Sequence, residues 1–237
     1  MSSVQAVLER YAEGVPYEAL ARGFLSFERW TGDDPRLLVA EAAASTTGQP
    51  FVGGIEPAVS RFRAAFVDTD RVDSLADLAA IDREDDALVA AFGAERKRHV
   101  LIETASVLAD RSDGDDLATL RNWAAEADHY RYDEDPIGRI TGVGPSSFQY
   151  LRQLAGVDAA RADPTMVAFV ERVADDLERS DGRDDVPLST ATALRTIASC
   201  EWLALVSSFR PIELDRIAWW LGTDPDDRET AVAVHVR

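Results

Sequence analysis

Asp163 is the residue in this chain best suited to do chemistry. It is followed by Pro164 and an apolar-periodic run, so it reads as the cap of a helix with proline at the first helical position. The positive end of a helix keeps such a carboxylate ionised at neutral pH. An ionised carboxylate can stabilise positive charge that develops on a bound molecule, or orient a water. Twenty-one residues earlier stands Gly142-Val143-Gly144, followed by Pro145-Ser146-Ser147. The glycines suit a tight turn and let another backbone come close. Pro145 opens a second helix, whose free N–H groups and positive end suit a phosphate. Gly156 is a natural stop for that helix. On it Phe148, Leu151 and Leu154 share an apolar face. Gln149, Arg152 and Gln153 share the opposite face, predicted free for solvent or a phosphate contact through Arg152. Tyr130 and Tyr132 precede the turn and could stack on a flat ligand.

Other chemistries are poorly served. Cys200 is the single cysteine, which excludes an internal disulfide and a four-cysteine iron–sulfur or metal site. It reads as a small buried hydrophobe. The three histidines, His99, His129 and His235, are too scattered for a histidine metal site, so no metal and no cofactor is expected. Trp123, Trp202, Trp219 and Trp220 read as packing residues. Lys97 and Arg98 read as a solvated helix start that could reach a nucleic acid strand.

The formal net charge is −18, and of 25 basic residues Lys97 is the one lysine. A strongly acidic protein ordinarily repels nucleic acid. Acidic surfaces with almost no lysine also suit the cytoplasm of a salt-loving archaeon. In molar salt the Debye length is about 3 Å, so whole-molecule repulsion fades and short contacts decide. Net charge therefore does not exclude a DNA partner. No run of 18 apolar residues suggests a membrane span, and the first residues carry charges rather than a signal-type apolar block, so a cytoplasmic location is expected.

The rest of the chain supplies helices. Apolar residues recur at helical spacing over 4–13, 16–30, 36–45, 56–66, 74–80, 85–92, 94–110 and 117–127, and again over 189–209 and 211–221. Asp34-Pro35 is another cap-and-proline start. Residues 46–54 read as a loop, 111–116 as an acidic solvated loop, 179–185 as a charged linker, and Pro136 as the start of a short helix. The last residues, 223–237, form a tail whose AVAVHV alternation is too weak to assign. Strand alternation is otherwise almost absent, which predicts an all-α fold.

The order of these elements resembles the helix-hairpin-helix (HhH-GPD) DNA glycosylase superfamily, which includes the endonuclease III-like enzymes. The resemblance spans about residues 33–177. Asp34-Pro35 with the apolar stretch ending in Ser45-Thr46-Thr47 resembles the family's opening helix, with Gln49 near the place of its glutamines. Residues 74–80 and 93–99 resemble the elements that follow, and Ile140-Thr141-Gly142-Val143-Gly144-Pro145-Ser146 resembles the hairpin. Asp163 falls at the family's catalytic aspartate. The resemblance implies a two-lobed fold with one helical lobe over 33–139. A second lobe would contain 1–32 and 140–222, leaving 223–237 as the tail, and Asp163 would lie in the cleft between lobes. It implies damaged double-stranded DNA as partner, with Gly142, Val143, Gly144, Ser146, Ser147 and Arg152 toward the strand and Tyr130 and Tyr132 near a flipped base. Bifunctional members carry a hairpin lysine where this chain has Ser146, so the implied activity is that of a monofunctional, aspartate-assisted glycosylase of base-excision repair. The alternative is a non-catalytic DNA-binding or interaction protein on the same scaffold.

Overall fold

The computed structural model describes residues 4–111, 114–181 and 187–235, and among these the architecture is all-α, with no strand. Short polar caps start several helices. Asp34, Asp85, Asp115 and Thr192 each accept a backbone N–H from the first turn of the helix that follows. The helices are α1 (Val4–Ala12), α2 (Tyr17–Leu25), α3 (Pro35–Ser45), α4 (Glu56–Phe62), α5 (Leu75–Ala79), α6 (Asp86–Phe92) and α7 (Glu95–Ala109). They continue as α8 (Asp116–Glu126), α9 (Pro145–Leu154), α10 (Pro164–Asp181), α11 (Ala193–Leu205), α12 (Pro211–Gly222) and α13 (Pro225–His235).

Several boundaries differ from expectation, for local reasons. α2 stops at Leu25 because Phe27 takes a left-handed φ of 56°. The expected loop over 46–54 is half helical: Phe51–Ile55 forms a π-turn that runs into α4. Pro136 opens a turn rather than a helix, because the Asp135 carboxylate captures the backbone N–H groups of Ile137 and Gly138. α11 begins only after Thr192, whose hydroxyl accepts from Arg195 N at 3.2 Å. The tail is helical over Pro225–His235, with proline at its start. Much of the charged linker expected at 179–185 lies outside the described residues.

Two hydrophobic cores organise the chain. The larger is built on α3 through α8, with Ala21 and Phe24 of α2 and Phe148, Tyr150, Leu151 and Leu154 of α9. The smaller joins Val7 and Leu8 of α1 to Met166, Phe169, Val170 and Val173 of α10 and to Cys200, Leu203, Leu214 and Ile217 of α11 and α12. The larger core thus extends past the boundary expected at residue 139, because α9 buries its apolar face there. Cys200 is fully buried, and burial pushes its thiol pKa well up. The cleft described next is lined by residues of α2, α9 and the loop after α3, and by residues at the start of α10 and on α12.

Candidate active-site cleft

A cavity of about 580 Å³ lies where the first turn of α9, the start of α10, α12 and the loop after α3 converge. Its size is that of a small-molecule site. Asp163, Ser146 and Ser147 all line it, so the structure brings the predicted carboxylate and the predicted helix start to one place.

Asp163 caps α10 as its sequence implies. Its Oδ1 accepts from Met166 N at 3.0 Å and from the Thr165 hydroxyl at 2.6 Å, and its Oδ2 lies 3.2 Å from an Arg161 nitrogen. Its side chain is 21% exposed, which leaves it reachable from the cavity.

The hairpin turn shows why its two glycines differ. Gly142 has φ +106°, and a Cβ there would meet Arg96 and Val100. Arg96 also donates to the Gly142 carbonyl at 2.7 Å, tying the turn to α7. Gly144 is extended (φ −121°, ψ 178°), a conformation open to any residue, and a Cβ there would meet nothing within 4 Å. Gly144 is the N-cap of α9 and offers no side chain to its first turn. Gly142, Val143 and Gly144 themselves do not line the cavity.

Behind Asp163 the floor is charged and buried. Arg161 pairs with Asp215 as well as with Asp163, and its guanidinium lies 4.6 Å from the Tyr150 ring centroid. Burial opposes the charge on Arg161, but Asp215 and Asp163 outweigh it and raise its pKa. Asp215 accepts from Arg161 N at 2.8 Å and pairs with both Arg161 and Arg216. Burial would raise the pKa of Asp215, but the two guanidiniums hold it down at about 2. Tyr150 donates to the fully buried Glu41 at 2.5 Å, and Glu41 also pairs with Arg29 and accepts from Thr31 at 3.5 Å. Burial and Glu41 raise the Tyr150 pKa, so its phenol stays protonated. The Phe24 ring has Arg29 at 4.1 Å and Arg216 at 4.5 Å, close enough for cation–π attraction.

Three expectations need correction. The polar face of α9 is buried, not free. Gln149, Arg152 and Gln153 are 1%, 9% and 0% exposed, because α9 is covered on that side by the 3₁₀ turn His129–Glu134 and by its other neighbours. Arg152 donates to Ala124 O at 3.0 Å and to Gln149 Oε1 at 2.6 Å, and contacts His129 Nδ1 at 3.2 Å, so it is a structural cation and not a phosphate contact. Tyr130 and Tyr132 do not line the cavity. Tyr130 donates to Glu201 at 2.6 Å and Tyr132 packs on Phe148, both away from the face of α9 that carries Ser146, Ser147 and Tyr150. Lys97 and Arg98 are 2% and 5% exposed, so neither belongs to a solvated helix start. Arg98 instead holds Arg83 O, Gly93 O and Glu84.

The aromatic walls come from residues that sequence reading left as packing or did not single out: Phe24, Phe51, Tyr150 and Trp219. Tyr150 had a usable signal, since it follows Ser146 by four residues and Ser147 by three, the spacing of one helix face.

No protein-family model matches the sequence, and no curated protein matches it. The chain has a structural likeness to the crystal structure of the 8-oxoguanine DNA glycosylase of Thermotoga maritima. The identity is 16%, the TM-score is 0.48, and the likeness covers 91% of this chain and 94% of that one.

Proposed function

We propose that this protein is a monofunctional DNA glycosylase that releases a damaged base from double-stranded DNA, with Asp163 assisting cleavage of the N-glycosidic bond. The observation that carries this reading is the open, aromatic-walled cavity of about 580 Å³ with the Asp163 carboxylate and the first turn of α9 at its edge. A base rotated out of the duplex stacks on aromatic faces in such a space. As the bond to the sugar breaks, positive charge grows on the sugar and the electron pair leaves with the base. The carboxylate stabilises that charge and orients the water that completes the hydrolysis. The cavity is not filled by Tyr130, Tyr132 or Trp123, which favours the enzyme over a scaffold that has lost its chemistry.

Strand positioning falls to the turn before α9. Gly144 is a glycine without a backbone strain or a neighbouring side chain to account for it, and the open space beside it suits a phosphate approaching the N–H groups of α9. Gly144→Thr keeps a residue of similar capping strength and fits the extended backbone. Duplex binding, measured by fluorescence anisotropy, should weaken about tenfold, the scale of one lost close contact. The melting temperature should hold; undiminished binding would remove the turn from the interface.

The activity itself is tested with duplexes that each carry one lesion: an oxidised purine, uracil, hypoxanthine or an alkylated purine. Reactions should be run at both low and molar salt. Release should leave an abasic strand that breaks only after hot alkali, because Ser146 has no amine to form a Schiff base. Strand breakage without alkali would overturn the monofunctional claim, and no release from any duplex would overturn the glycosylase claim.

A further inference from the structure

The one lysine of the chain is buried where a lysine is hardest to keep. Lys97 sits on the first turn of α7, 2% exposed, and no ion pair to a carboxylate forms there among the described residues. Its Nζ donates at 2.7 Å to Oε1 of Gln49. Burial and the nearby Arg61 push its pKa down, as expected for a cation without a counter-ion. Gln49, by contrast, is exposed and lines the cavity that holds Asp163.

A second observation concerns the same side chain. A Cβ on Gly54 would lie 2.5 Å from Gln49 Cβ and 2.9 Å from its Oε1. Gly54 therefore leaves the space that the Gln49 side chain occupies. An ammonium can only donate, so the amide must turn its oxygen to Lys97. The two N–H groups of Nε2 then point away from Lys97, and among the described residues they have no acceptor. An exposed glutamine normally samples several rotamers; this one is held from below by Lys97 and lies against the Gly54 backbone.

We propose that Lys97 is a positioning residue. It locks the Gln49 carboxamide so that its N–H groups form a fixed donor at the cavity, suited to a nucleobase acceptor such as a carbonyl oxygen. The enzymatic part of this rests on the proposed glycosylase function; the locking itself does not.

The test is a double-mutant cycle with Lys97→Met and Gln49→Ala, since coupled residues fail to add. Methionine keeps the length and packing of the lysine stem, so the fold should survive. With the lesion duplex that the wild type acts on best, each single variant should lose about tenfold in kcat, the scale of one oriented hydrogen bond. The double variant should lose no more than either. Lys97→Arg, which restores a donating cation, should recover part of the loss. Gln49→Glu keeps a partner for Lys97 but has no N–H, and should fall with Gln49→Ala. Losses that multiply, or wild-type kcat in Lys97→Met, overturn the proposal. The Gln49 side-chain amide resonances in ¹⁵N spectra give a readout free of catalysis. They should be dispersed and rigid in the wild type and averaged in Lys97→Met. If no duplex is processed, the glycosylase reading fails and the spectra alone decide: an amide equally rigid in both proteins overturns the locking.

Discussion

Asp163→Asn should lower base release by about two to three orders of magnitude, the range seen when one electrostatic group aimed at a transition state is removed. The substitution is nearly isosteric. Asparagine still caps a helix, so the bond from Met166 N is retained and stability should change by less than about 1 kcal/mol. What disappears is the charge. In the wild type Oδ1 is committed to the start of α10, so Oδ2, shared with Arg161 at 3.2 Å, is the oxygen left to face a sugar or a water. The variant should bind lesion duplex as the wild type does while single-turnover release collapses. Equal rates in the two proteins would mean that Asp163 is a cap and nothing more.

Asp215→Asn should be the most damaging change to the fold near the cleft, at about 3–5 kcal/mol by chemical denaturation, because it leaves the buried Arg216 guanidinium without its carboxylate and Arg161 with Asp163 alone. The amide group of asparagine would also turn donors toward donors. Stability should carry the same signature in its pH dependence. The Asp215 pKa is depressed in the folded protein to about 2 from an ordinary value of 3.8. A depressed carboxylate stabilises the fold above its ordinary pKa, and the contribution fades as pH falls from about 4 through about 2. The amount at neutral pH is about 2 kcal/mol, since the side chain is only 2% exposed and little screened. Denaturation midpoints of the wild type should therefore fall over that window, and the Asp215→Asn variant should show a shallower fall. Parallel pH profiles would show that the acid sensitivity comes from other carboxylates.

The sequence shows the local parts of this site and hides the long-range ones. Asp163-Pro164 and Asp34-Pro35 announce helix starts because a cap acts on N–H groups two or three residues away. Gly142 announces a turn because its φ demands it. Glu41 and Tyr150 are 109 residues apart, and Arg161 and Asp215 are 54 apart; no periodicity links such partners. Arg152 misled for a related reason. A polar residue on a helix face reads as solvent-facing unless one knows that a second element covers that face, and here His129–Glu134 does. The tail stayed unassigned because AVAVHV alternates only weakly, whereas a helix started at Pro225 runs through to His235.

The guanidinium contacts in the floor of the cleft bear on how a ligand gains access. Arg216 over Phe24 and Arg161 over Tyr150 each join a residue from the region of the smaller core to an aromatic ring of the larger. Hinging the two halves apart would pull both cations off their rings and wet the paired charges beneath them. Two buried cation–π contacts, each about 0.5–2 kcal/mol, oppose that motion. These contacts brace the seam between the halves. Under the proposed function, discrimination among bases would rest on shape and on donors already in place.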